Sequence, residues 1–120
     1  MLEFEKYIIL LNKSKIFVGS GNNLLSDTVS IKYLETMASG TLFITSKPIN
    51  LEEYEFVEGK HLIIYNNFDD LKEKIFYYLE HETERMEITK NAMEHVSNNF
   101  TNEKVIQKML EDIEWKKNFY

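Results

Sequence analysis

The chain has 120 residues, of which 43% are hydrophobic and 28% charged, with no cysteine and a net charge of −6. That length holds one compact core rather than two, and the balance is that of a folded domain, not a disordered tract. The acidic surplus argues against DNA, RNA or an anionic membrane as main partner, and the lack of cysteine excludes disulfides and thiolate metal sites.

The opening segment "MLEFEKYIILLNK" is acidic at first, and its apolar run is only four residues long. It reads as neither a signal peptide nor a membrane span, so the expectation is a single cytoplasmic domain over residues 1–120 with no membrane span. Phe4, Tyr7, Ile8 and Leu11 recur at i, i+3, i+4 and i+7, which predicts a helix over 3–13. The runs "KIFVG", "TLFIT" and "HLIIY" follow. They are short, bulky and continuous instead of alternating, as expected of parallel strands covered on both faces.

A helix is predicted over 28–39, with a buried arc of Val29, Ile31, Tyr33, Leu34, Met37 and Ala38, and with Gly40 as its C-terminal cap. "LEEYEFVE", within 48–58, reads as a short helix. Three further helices are predicted at the end of the chain. The first, 68–80, uses Leu71, Ile75, Tyr78 and Leu79. The second, 83–98, uses Met86, Ala92, Met93 and Val96. The third, 102–117, uses Val105, Met109, Leu110 and Ile113, with Thr101 as cap. With right-handed crossovers this order gives an α/β fold: a three-layer, Rossmann-like half-domain of about three parallel strands flanked by helices, closed by the C-terminal helices.

Most motifs take a structural reading. "VGSGNNL" has Gly19 and Gly21 after a strand, but Leu24 stands where the dinucleotide fingerprint needs glycine. The glycines read instead as a sharp turn. His61, His81 and His95 are scattered without metal-ligand spacing. There is no G-x-S-x-G elbow. Asp69 and Asp70 open a helix, where their charge offsets the dipole. Phe76, Tyr77, Tyr78, Trp115, Phe119 and Tyr120 read as core or interface, because no basic groove accompanies them.

The stretch "SDTVSIKYLETMASGTLFIT" differs. Its helix begins just past the C-terminal end of a parallel strand, where open α/β sheets bind ligands. The N–H groups of Thr28, Val29 and Ser30 can hold phosphate. Glu35, at the border of the apolar arc two turns on, can accept both hydroxyls of a ribose. Phosphate at the helix start and ribose along its flank describe a nucleotide.

"KYLETMASGTLFITS" and "EFVEGKHLIIYNNFDDLKEKIFYYLEHETERMEI" resemble the C-terminal, donor-binding segment of glycosyltransferases with two Rossmann-like domains, the glycosyl transferase group 1 type. They are most similar to the group that includes the spore-maturation CgeB-like proteins. The resemblance runs from about residue 15 to 110 and centres on Glu35-x-x-Ala38-x-Gly40. It implies that Glu35 binds the ribose of a nucleotide diphosphate sugar. Asp27, eight residues earlier, then takes the place of an acid that contacts the donor sugar or its phosphate, with a side chain one methylene shorter. Lys32 stands where related sequences carry a basic residue, although Thr28 to Leu34 lacks the family's small-residue turn. No metal or other cofactor is implied.

Set against that family, the acceptor domain, the first three strands of the donor domain and the catalytic base have no counterpart here, so the resemblance implies a chain incomplete for catalysis alone. The strand "KIFVG" would then present an open edge, covered by helix 3–13 or paired with another copy or a separate polypeptide. Two alternatives stand beside this reading: a non-catalytic interaction or dimerisation module that keeps the fold, and a stand-alone nucleotide-binding α/β domain.

Overall fold

The computed structural model describes residues 2–19, 29 and 31–100. The elements run α1 (Leu2–Lys13), β1 (Ile16–Val18), α2 (Ile31–Ala38), β2 (Leu42–Thr45), a single 3₁₀ turn (Glu52–Tyr54), β3 (Ile63–Ile64), α3 (Phe68–Glu80) and α4 (Glu82–Asn99). The helix expected over 102–117, together with Thr101, Trp115, Phe119 and Tyr120, lies outside the described residues.

The three strands form one parallel sheet in the order β1-β2-β3. Ile16 pairs with Leu42 and Val18 with Ile44, while Ile44 and Thr45 pair with Ile63 and Ile64. All four residues of β2 are buried, which explains why its apolar run does not alternate. The fold is the expected α/β half-domain.

Side-chain alternation divides the core into two layers. Phe43, Leu62 and Ile64 face one way and pack with Tyr33, Met37, Tyr54, Phe56, Ala92 and Val96 from α2, the loop after β2 and the second half of α4. Leu42, Ile44 and Ile63 face the other way and meet Ile88, with Leu71, Ile75 and Tyr78 of α3 packed around them. The Tyr33 and Phe43 rings meet edge to face at 4.4 Å, a favoured geometry for aromatic quadrupoles.

The local signals account for most boundaries. Gly40 adopts φ +74. Its N–H donates to Met37 O and that of Thr41 to Thr36 O, the paired bonds of a Schellman cap. Thr41 Oγ1 also donates to Leu11 O at 2.7 Å, tying the end of α1 to this turn. The Asn67 side chain caps α3 by accepting from the Asp70 N–H. Asp70 Oδ2 in turn accepts from the Asn66 N–H and from Lys74 Nζ. These bonds hold its carboxyl below the usual range, the backbone bond most strongly, so Asp70 caps a helix, as expected.

Several packing expectations need correction. Helix α2 begins at Ile31 rather than 28. Ala38 is exposed, and Thr36 takes its place in the interior, its hydroxyl bonded to Lys32 O. Leu79 is 44% exposed, since the apolar residues of α3 that pack against the sheet are Leu71, Ile75 and Tyr78. On α4 the buried positions are Arg85, Ile88, Ala92 and Val96, while Met86 and Met93 are exposed. Of the apolar face expected on α1, Leu11 is buried, and the side chains of Phe4, Tyr7 and Ile8 lie outside the described residues.

Gly19 also has a different reason to exist. A Cβ there would sit 2.7 Å from the Phe43 ring, so close packing, not a turn with positive φ, demands glycine. Gly21 is outside the described residues.

Candidate functional site

The C-terminal ends of the three strands meet in a polar collar. Beyond β1, the Gly19 carbonyl accepts from Tyr65 Oη at 3.1 Å, which links the outer strands across β2. At the end of β2, Thr45 Oγ1 lies 3.5 Å from the Tyr33 hydroxyl, which rises from the first turn of α2. The Val29 N–H donates to Asn50 Oδ1 at 2.7 Å, so the loop after β2 is tied to the approach to α2. A short polar side chain in that loop can reach the backbone groups a helix start leaves unpaired.

Glu35 lies on α2 two residues past Tyr33, about 3 Å further along the helix axis. It is half-buried, and Lys32 and Ala38, three residues to either side, are exposed. The three therefore share one stripe, at the border that the helical wheel indicates. Among the described residues, no hydrogen bond or ion pair is made by the Glu35 carboxylate. Its backbone carbonyl accepts from Ser39. Lys32 and Glu35 are brought onto the same side of one helix. Asp27, Thr28 and Ser30 lie outside the described residues.

One expected phosphate donor is corrected. Val29 is buried and its N–H belongs to Asn50, so this group does not point to an incoming anion.

The same rim carries residues that the sequence did not single out. A cleft of about 500 Å³ lies between the loop after β2 and the end of β3, and Lys47, Glu52, Phe56, Glu58, Ile64 and Asn66 line it. Lys47 and Asn66 each stand two residues past a strand, a position that could have flagged them. Glu35 does not line this cleft.

The histidines behave as structural groups, yet two of them meet. His61 and His95 have ring centroids 4.4 Å apart, beside Phe56. His61 Nδ1 accepts from the Val57 N–H at 3.0 Å, and His95 Nε2 donates to the Tyr54 carbonyl at 2.9 Å. Burial above all, and then the neighbouring His95 and Lys60, lower the His61 pKa to about 4. No group of three or more potential metal ligands occurs among the described residues. None of the described helices is long and apolar enough to cross a membrane.

A three-stranded parallel sheet flanked by helices, with a polar collar at the C-terminal ends of its strands, is laid out as a Rossmann-like half-domain. A family model described as glycosyl transferase-like matches residues 1–111, and the chain belongs to that family. Neither curated proteins nor solved structures give a significant match.

Proposed function

We propose that this glycosyltransferase-like domain binds a nucleotide diphosphate sugar as the donor half of a glycosyl-transfer site. Family membership supports the reading. The observation that carries it is Glu35: a half-buried carboxylate on the helix that follows β1, making no ion pair or hydrogen bond with a described residue. A carboxylate there offers acceptor oxygens to the two hydroxyls of a ribose. Lys32, one turn earlier on the same stripe, neutralises phosphate. Thr28 and Ser30 meet the diphosphate and Asp27 approaches the donor sugar. Val29 contributes no donor, because Asn50 holds its N–H.

In the reaction, the bond from the sugar's anomeric carbon to the diphosphate breaks, and a bond from that carbon to an acceptor oxygen forms. The acceptor's proton passes to a base. The helix dipole and basic side chains stabilise the departing diphosphate. In this reading the base and the acceptor site belong to another domain or polypeptide. The outer edge of β1, the end of the sheet among the described residues, is where a further strand from a separate chain or another copy adds.

Calorimetric titration with UDP, GDP, ADP and TDP tests the proposal. One nucleotide should bind at millimolar affinity or tighter, about −4 kcal/mol or more favourable. Glu35→Ala should weaken that affinity at least about tenfold, the loss of a charge-assisted hydrogen-bond pair. Silence with all four nucleotides defeats the donor-site reading and leaves the interaction module standing.

A further inference from the structure

Helix α3 has no buried residue at all. Its inner side sets Leu71, Ile75 and Tyr78 against the sheet. Its outer side leaves Phe68 76%, Phe76 57% and Leu79 44% exposed. At about 100° per residue, Phe68, Lys72, Phe76 and Leu79 fall within an arc of about 80°. This stripe adjoins the inner side, so the apolar arc of α3 is about 160° wide, more than the sheet alone covers.

The charges around this stripe say what covers it. Lys72 and Glu80 stand one turn either side of Phe76, about 6 Å away along the axis in each direction, and both are exposed. Neither forms an ion pair with a described residue; the α3 pair is Lys74 with Asp70. We propose that a second copy of this chain docks on the outer face of α3, antiparallel about a two-fold axis at Phe76. Each Phe76 then packs on the partner's Phe76, Lys72 meets the partner's Glu80, and Glu80 meets the partner's Lys72. The surface is self-complementary, as a two-fold interface requires. A parallel, in-register pairing would set lysine on lysine and glutamate on glutamate, so the charges select the antiparallel arrangement.

The proposal is independent of the donor site, since α3 and α2 cover opposite faces of the sheet. Its size sets its strength. A helix of this length spans about 20 Å, and one helix pair falls below the standard interface area, so a dissociation constant of roughly 10–200 μM is expected.

Sedimentation velocity of the full chain over a concentration series from low to high micromolar is the test. The wild-type chain should shift from monomer to dimer. Phe76→Glu should stay monomeric throughout, with an unchanged circular dichroism melt to verify folding. Lys72→Glu and Glu80→Lys should each weaken self-association at least about tenfold. An equimolar mixture of these two variants should recover the dimer, because each new charge faces its opposite on the other chain. The double swap in one chain should recover it too. A wild-type chain that stays monomeric at every concentration overturns the proposal. So does a dimer that persists in Phe76→Glu, or a mixture of the two charge variants that fails to associate.

Discussion

On the α2 side of the sheet, Tyr33, Met37, Phe43, Tyr54, Phe56 and Leu62 are all buried, and the layer is closed by side chains of the chain itself. On the α3 side, only Leu42, Ile44, Ile63 and Ile88 reach full burial. Beyond them, α3 turns Phe68 and Phe76 to solvent. The same three strands thus support a filled layer and an unfilled one. The filled layer holds the candidate site: its aromatic packing fixes α2 and, with α2, the position of Glu35. The thin layer contributes nothing to that site and carries the apolar surface expected of an interface. Substitutions should therefore separate the two sides cleanly.

The largest effect is expected in the filled layer. Phe43→Ala removes the ring that Tyr33 packs against edge-on and that excludes a side chain at Gly19. Denaturant unfolding should show a loss of about 3–5 kcal/mol, the usual cost of deleting a well-packed phenylalanine.

Acid should also act on this side. His61 Nδ1 accepts from the Val57 N–H, so a proton on that nitrogen breaks the bond and places a charge beside His95. The folded pKa of about 4 lies below the unfolded value of about 6.5. The unfolded chain therefore binds more protons between these values. The His61 contribution is fully present above about pH 6.5 and is lost as pH falls through about 4, amounting to about 2–3 kcal/mol. Stability measured from pH 7 to 4 should follow this slope. His61→Asn, which keeps an acceptor near Val57, should flatten it.

On the thin side, Phe76→Ala should change the stability of the monomer by no more than about 0.5 kcal/mol, measured at low micromolar concentration. A loss near that of Phe43→Ala would mean that α3 packs as tightly as α2, and the contrast would disappear.

Much of this architecture was legible in the sequence, because burial on both faces leaves a strong mark. The non-alternating run at 42–45 could be read as a covered parallel strand and Gly40 as a cap, whereas the run at 16–18 marks a strand without full cover, since Val18 at the end of the sheet is 42% exposed. The phase of α4 was not legible. Met86 and Met93 are as apolar as Ile88 and Ala92, and only the angle at which the helix meets the sheet decides that Arg85 and Ile88 turn inward. Arg85 is buried because its Nη1 donates to the Tyr78 carbonyl at the end of α3, a partner no local pattern announces. His61 and His95 are 34 residues apart and meet only through the fold.

At the site, helical periodicity fixed the border position of Glu35 but not the fate of the helix-start donors. Asn50 takes the Val29 N–H from 21 residues away, a loop-to-loop bond outside the reach of local reasoning. Asp27, carried by family resemblance, and Thr28 and Ser30, carried by the N–H groups expected at a helix start, remain assignments of the proposal.

The central claim is that a nucleotide docks against α2 at the rim of the filled layer. Titration of isotope-labelled protein with UDP, GDP, ADP and TDP in turn, followed by backbone amide NMR shifts, tests it most directly. One nucleotide should move the resonances of Lys32 to Glu35 and of Thr45 and Ser46, leave those of Phe68 to Glu80 in place, and lose its effect in Glu35→Ala. Shifts confined to α3, or a spectrum unmoved by all four nucleotides, would contradict the account.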